Sequence, residues 1–92
     1  MTIACNQFGV PQYPDSDARH LFVLLAAINL LERPTIPAVA DLTSMPRSTI
    51  ETGLRILQQQ YGIRFVRSGE VIHVDDWGNL LREDGVMRCL KA

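Results

Sequence analysis

Cysteine is scarce in this 92-residue chain: Cys5 and Cys89 stand alone, one near each end. With no Cys-x-x-Cys pair and no dense framework, a disulfide scaffold is not expected, and a reduced, intracellular setting is the simpler reading. Lysine is scarcer still; of nine basic residues eight are Arg and Lys91 is the sole Lys. Positive charge does not dominate, because ten Asp and Glu leave a formal net charge of −1. That excludes nucleic-acid binding by bulk charge but leaves room for a local basic patch. No hydrophobic run is long: the stretch from Leu21 to Leu31 is broken by Asn29 and falls short of the ~20 residues of a membrane span. No basic segment followed by an apolar one opens the chain, so a cytoplasmic location is expected. Paired carboxylates, nucleophile motifs and phosphate-cradling Gly loops are missing, so neither an enzyme nor a bound cofactor is expected. His20, His73, Cys5 and Cys89 match no metal-ligand spacing, and both histidines read as surface residues.

What is present is the composition of a globular domain, 47% hydrophobic and 21% charged. One domain is expected over residues 15–84, between an extended N-terminal arm (1–14, with Pro11 and Pro14) and a C-terminal tail (85–92). A chain of this size buries only about 60–65% of its unfolded surface. Asp15 or Ser16 is placed to cap a first helix that runs to about Glu32 and stops before Pro34. Leu21, Leu24, Leu25, Ile28 and Leu31 form one apolar stripe, and Val23, Ala27 and Leu30 form another on roughly the opposite side. A helix apolar on two sides must be covered on two sides. Either the Val23, Ala27 and Leu30 stripe meets a second subunit, making a homodimer, or the helix is sandwiched between the body of the fold and the arm or tail. The first of these is the expectation.

Thr35 caps a short second helix with Pro37 in its first turn, and Ser44-Met45-Pro46 breaks it. A third helix runs from about Pro46 to Gln60, with Ile50, Leu54 and Leu57 inward and Gly62 as its left-handed terminator. The period then switches to alternation around Ser68-Gly69, a two-residue hairpin signal. That loop sets Arg67 against Glu70, Phe65 against Ile72 and Ile63 against Val74 on one side. Val66 then faces Val71, and Arg64 faces His73, on the other. Asp75 or Asp76 is placed to cap a last helix from about Trp77 through Leu80 and Leu81, with Gly85 ending or kinking it. Trp77, Leu80 and Leu81 read as core or interface.

The order is mainly α with a small β-hairpin. Two helices joined by a tight turn make a helix-turn-helix, and a hairpin straight after the second has the position of a wing. Ala38-Val-Ala-Asp-Leu-Thr-Ser-Met-Pro-Arg-Ser-Thr-Ile50 resembles the core of bacterial winged helix-turn-helix regulators. Asp76-Trp77-Gly78 is similar to a sequence in small stand-alone proteins of that kind. The resemblance covers roughly residues 16–82. It implies a three-helix core, a two-stranded wing, a C-terminal helix and a dimeric DNA-binding transcription regulator. Two positions depart from it. Ser44 stands where Gly is usual, so a positive φ there carries strain. Gly53 lies inside the third helix, where Gly costs about 1 kcal/mol against Ala, which points to a closely packed neighbour.

A reading helix contacts base edges mainly through its N-terminal half. Here that half offers Arg47, Ser48, Thr49, Glu51 and Thr52. Arg can take guanine bidentately, Ser and Thr can bond bases or phosphates, and Glu can accept from cytosine N4. Arg55 is better placed for a phosphate, and Arg64 and Arg67 reach flanking backbone from the wing. Residues 43–73 hold four arginines and two glutamates, a local net of +2. The expectation is sequence-specific binding of double-stranded DNA. The alternative is a protein-interaction or assembly module, with Arg47, Glu51 and Arg55 forming an i, i+4 ladder on a solvated face.

Overall fold

The computed structural model describes residues 3–91. The chain forms α1 (Ala18–Leu30), α2 (Ile36–Thr43), α3 (Arg47–Tyr61), β1 (Arg64–Ser68), β2 (Val71–Asp76) and α4 (Glu83–Met87), followed by a 3-10 turn at Arg88–Leu90. The strands pair antiparallel, so the architecture is four helices with one two-stranded hairpin.

Helix α1 starts later than expected. Asp17, not Asp15 or Ser16, is the cap, and its carboxylate accepts from the Arg19 N–H at 2.9 Å. Hydrogen bonds from the Arg19 side chain and backbone hold the Asp17 carboxyl below its ordinary pKa. The Arg19 guanidinium also lies 4.3 Å from the centre of the Tyr13 ring. The helix stops at Leu30, and Leu31 is already extended, ahead of Arg33-Pro34. Six consecutive residues, Val23 to Ile28, are buried, so this stretch of the helix is enclosed around its whole circumference. It is packed by α2, α3, β2, α4 and the 3-10 turn.

That arrangement corrects the expected dimer stripe. Val23 and Ala27 lie inside this chain's own core, and only Leu30 of the three is exposed. The covering material is the C-terminal segment: Val86 is buried, and Met87, Cys89 and Leu90 pack on the core beside it. A helix with two apolar sides is thus closed by its own chain, the sandwich alternative.

The last helix is also displaced. Residues 77–82 are not helical. Strand β2 runs on to Asp76, whose carboxylate accepts from the Gly78 N–H at 2.8 Å and closes a turn. Gly78 has φ +69°, and a Cβ there would sit 2.8 Å from the Gly62 carbonyl oxygen. This turn therefore packs backbone to backbone on the end of α3, which is where glycine is needed. Gly85 falls within α4 and does not end it. Leu80 is exposed, while Trp77 and Leu81 are half-buried against the core.

The hairpin keeps its expected faces but not its expected register. The observed pairs are Phe65 with Val74, Val66 with His73, Arg67 with Ile72 and Ser68 with Val71, with an irregularity at Arg64. The loop is Gly69-Glu70, with Gly69 at φ +62°. A Ser68-Gly69 loop of type I′ would demand positive φ at Ser68 as well. With glycine at the first loop position, only glycine carries it. Because the shift is an even number of residues, side chains keep their sides. Phe65, Ile72 and Val74 face the core, while Val66 and His73 face out. The hairpin is tied to the α1–α2 connection by a Thr35–Val71 bridge and an Ile72 N–H to Pro34 carbonyl bond of 2.8 Å.

Helix α3 is seated on α1 at Gly53, as the close-packing expectation required. A Cβ on Gly53 would meet Leu24 Cδ2 at 2.5 Å and Leu21 Cδ2 at 3.5 Å. Leu24 is fully enclosed, so it has little room to yield. For Gly53→Ala the helix-propensity gain of about 1 kcal/mol is expected to be outweighed by overpacking of about 1–3 kcal/mol. The expected outcome is a lower urea midpoint than wild type. A higher midpoint would show that Leu24 turns aside and that the close approach is not needed.

Candidate nucleic-acid interface

The α2–α3 turn sets the direction of α3. Thr35 Oγ1 caps α2 by accepting from the Ala38 N–H at 3.2 Å. At the far end Ser44 takes the left-handed conformation, φ 62° and ψ 25°, so the strain expected of a serine in this turn is present. The segment read as an extended arm holds the turn in place. It folds back on itself through a Cys5–Pro11 bridge, and Val10 and Pro11 are buried. Asn6 Nδ2 donates to the Leu42 carbonyl at 2.7 Å and to Ser44 Oγ at 3.0 Å, while Asn6 Oδ1 accepts from the N–H groups of Phe8 and Val10. Gln12 Nε2 donates to the Thr43 carbonyl at 3.2 Å. Two of the carbonyls that α2 leaves open at its end are thereby satisfied by side chains from the N-terminal segment.

Helix α3 leaves this turn at Pro46, which offers no side-chain cap, and ends on Gly62 at φ 70° as expected. Ile50, Gly53, Leu54 and Leu57 are buried. Arg47, Ser48, Thr52 and Arg55 are exposed on the other side, with Thr49 and Glu51 half-covered at its margins. The Arg47–Glu51–Arg55 ladder of the alternative reading does not form among the described residues. Glu51 instead accepts from Arg67 across to the hairpin, Oε1 to Nη2 at 3.0 Å. The expected cross-strand pair of Arg67 with Glu70 is likewise absent, because the register sets Ile72 opposite Arg67. Among the described residues, Arg47, Arg55 and Arg64 form no ion pair.

Two clefts flank the helix. On the hairpin side, Glu51, Leu54, Arg55, Gln58, Phe65 and Arg67 line a cavity of about 220 Å³. On the α1 side, Ser48, Thr49, Thr52 and Ile56 face Asp15, His20 and Leu21 across about 240 Å³. The sequence-selected residues therefore divide: the charged ones Glu51, Arg55 and Arg67 gather by the hairpin, the hydroxyls by α1, and Arg47 stands at the start of the helix. Arg64 is not brought to this surface. It is exposed, at the irregularity between Arg64 and Phe65, and lines neither cleft.

His20 is not the surface residue expected. Its side chain is 13% exposed, with Nδ1 3.3 Å from the Tyr13 carbonyl and Nε2 3.6 Å from an Asp15 oxygen. His20, Asp15 and Gln58 are the lining residues that sequence reasoning missed. Gln58 was legible, one turn beyond Arg55 on the same side of the helix. His20 was not, because its neighbours Tyr13 and Asp15 reach it only through the bend before α1. Asn6 and Gly9 carried a turn signal as well, since Asn bonds its own backbone two residues on.

Among the described residues, no three His, Cys, Asp or Glu side chains group as metal ligands, and no helix is long and apolar enough to cross a membrane. Cys5 and Cys89 are free thiols, and burial raises the Cys89 thiol above its ordinary pKa. Comparison with protein-family models, curated proteins and solved structures finds no match for this chain.

Because Asn6 uses four hydrogen bonds to fasten the turn ahead of α3, Asn6→Ala is expected to lower stability by about 2 kcal/mol. Asn6→Asp keeps the acceptor but sets a carboxylate against the Leu42 carbonyl, and is expected to be at least as harmful. Urea unfolding of both variants measures this. Midpoints within error of wild type would mean that the N-terminal segment does not brace the turn.

Proposed function

We propose that this chain is a winged helix-turn-helix protein that binds double-stranded DNA sequence-specifically, as bacterial transcription regulators do. In this reading α3 enters the major groove and the hairpin is the wing beside it. The observation that carries it is the outer side of α3: Arg47, Ser48, Thr52 and Arg55 project from one 15-residue helix, and neither arginine is paired among the described residues. A helix of that length is about 22 Å long and 10–12 Å across with its side chains, which fits a groove about 12 Å wide. Arg47 lies at the N-terminal end, where a reading helix meets base edges, with open backbone N–H groups that favour phosphate. Arg55, two turns on, suits the backbone of the flanking strand. The bridge from Thr35 to Val71 ties the hairpin to the start of α2, and the Glu51–Arg67 pair joins it to α3, which supports a wing beside the reading helix. The expected α1-mediated dimer is not part of this proposal, since Val23 and Ala27 are enclosed.

One observation favours the second reading, a protein-interaction module. An apolar groove of about 550 Å³ is lined by Phe8, Val10, Leu30, Leu42, Met87 and Leu90, and Phe8 and Leu30 are 57% and 56% exposed. It lies away from α3, so the two readings are separable by mutation.

Mobility shift on duplex DNA at ~50 and ~200 mM salt separates them, since each neutralised phosphate contributes about −0.9 to the slope of log affinity against log salt. Arg47→Ala with Arg55→Ala is expected to weaken binding roughly 10- to 100-fold and to flatten that slope. Leu30→Glu is expected to leave it unchanged. No binding by wild type at low salt, or equal binding by the double variant, defeats the DNA reading.

A further inference from the structure

The ion pair that joins α3 to the hairpin is placed to do more than stabilise. Glu51 lies on the reading side of α3 and Arg67 on β1, and their side chains meet at 3.0 Å with exposures of 39% and 50%. Among the described residues, Glu51 and Arg67 are the sequence-selected members of this surface that pair with each other. A carboxylate beside a guanidinium is the same contact a phosphate oxygen would make, a charge-assisted bond to a planar fork. We propose that Glu51 acts as an internal substitute for phosphate: it occupies Arg67 in the free protein, and DNA backbone displaces it. This rests on the DNA reading above and names a regulating residue within that surface.

The exchange is feasible because the pair is weak. Half-exposed ion pairs are worth little in water, whereas a phosphate contact also releases a condensed counterion. No other acid competes for Arg67 among the described residues: Ile72 stands opposite it, and Glu70 lies in the hairpin loop without a bond to it. Once Arg67 leaves, Glu51 is a bare carboxylate on the reading helix. Beside phosphate it repels; beside a cytosine N4 amino group it accepts a hydrogen bond. The pair therefore holds down binding to arbitrary sequence, where Glu51 gains nothing in return.

The test is a double-mutant cycle by fluorescence anisotropy. The probe is a labelled random-sequence duplex of about two helical turns, bound by the full chain as wild type, Glu51→Gln, Arg67→Gln and both together. Removing a carboxylate tightens binding by general charge in either background, so the coupling decides. Glu51→Gln is expected to tighten binding about two- to fivefold more when Arg67 is present than when it is Gln, the range set by an exposed pair. Its salt slope is expected to match wild type, because Arg67 neutralises the same phosphate in both, whereas both Arg67→Gln proteins are expected to be about one unit shallower. Equal effects in both backgrounds, or weaker binding by Glu51→Gln, overturn the competition. Absence of binding by wild type overturns the DNA reading itself, a different result. Both side chains are surface groups; a thermal melt of each variant confirms folding, and Glu51→Ala repeats the comparison if Gln disturbs it.

Discussion

Helix α1 imposes the constraint around which the rest of the molecule is arranged. Its 13 residues include six buried in succession, and a stretch with no polar side must be enclosed on every side. A chain of 92 residues has little material for that, so every part is used. Helices α2 and α3 and strand β2 cover part of α1; α4 and the 3-10 turn, recruited from the last residues, close the remainder. Each buried Val, Leu or Ile side chain removes about 1.5–3 kcal/mol of unfavourable exposure, which is why so short a C-terminal segment docks at all. The groove at Phe8 and Leu30 is the remaining apolar surface at the C-terminal end of that helix.

The same constraint determines how α3 is displayed. With α1 at the centre, α3 can approach it closely only where one side lacks a side chain, and Gly53 provides that place against Leu24 and Leu21. The hydrophilic side of α3 then points outward with no choice in the matter. Its azimuth depends on the turn before it, where Ser44 sits in a conformation that L residues disfavour. Asn6 and Gln12 supply donors to that turn from a distant part of the chain. Hydrogen bonds from the N-terminal segment thus brace a turn in a disfavoured conformation, and the direction in which Arg47 leaves it depends on both.

Charge on this surface is set by tertiary partners more than by composition. Along α3 alone, Arg47, Glu51 and Arg55 form an alternating row at helical spacing that suggests mutual neutralisation. In the fold, Glu51 turns to Arg67 of the neighbouring strand and leaves the two helix arginines unpaired among the described residues. The local excess of positive charge is unchanged in number but moves to Arg47 and Arg55. The α1 side of the helix, with Ser48, Thr49 and Thr52 facing Asp15 and His20, is neutral to acidic by contrast.

Much of the architecture was legible in the residues. The 3.6-residue periods of α1 and α3, the Thr35 cap with Pro37, the Ser44-Met45-Pro46 break, the Gly62 terminator and the inward Phe65 and Ile72 are all local consequences of side-chain shape and backbone preference. Sequence alone therefore determined the order of elements through the hairpin, which side of each was apolar, and the set of polar residues on α3. What covers α1, which residue pairs with Glu51, how the hairpin registers and where the last helix begins were decided only in three dimensions. Each had two candidate arrangements: a second subunit or the chain's own end, Arg47 and Arg55 or Arg67, glycine second or first in the loop, Asp76 as helix cap or turn acceptor. Over α1 the burial of whole side chains outweighs local preferences of about a kcal/mol or less, whereas the loop follows the backbone freedom of Gly69 and Glu51 follows the strand that the fold sets beside it.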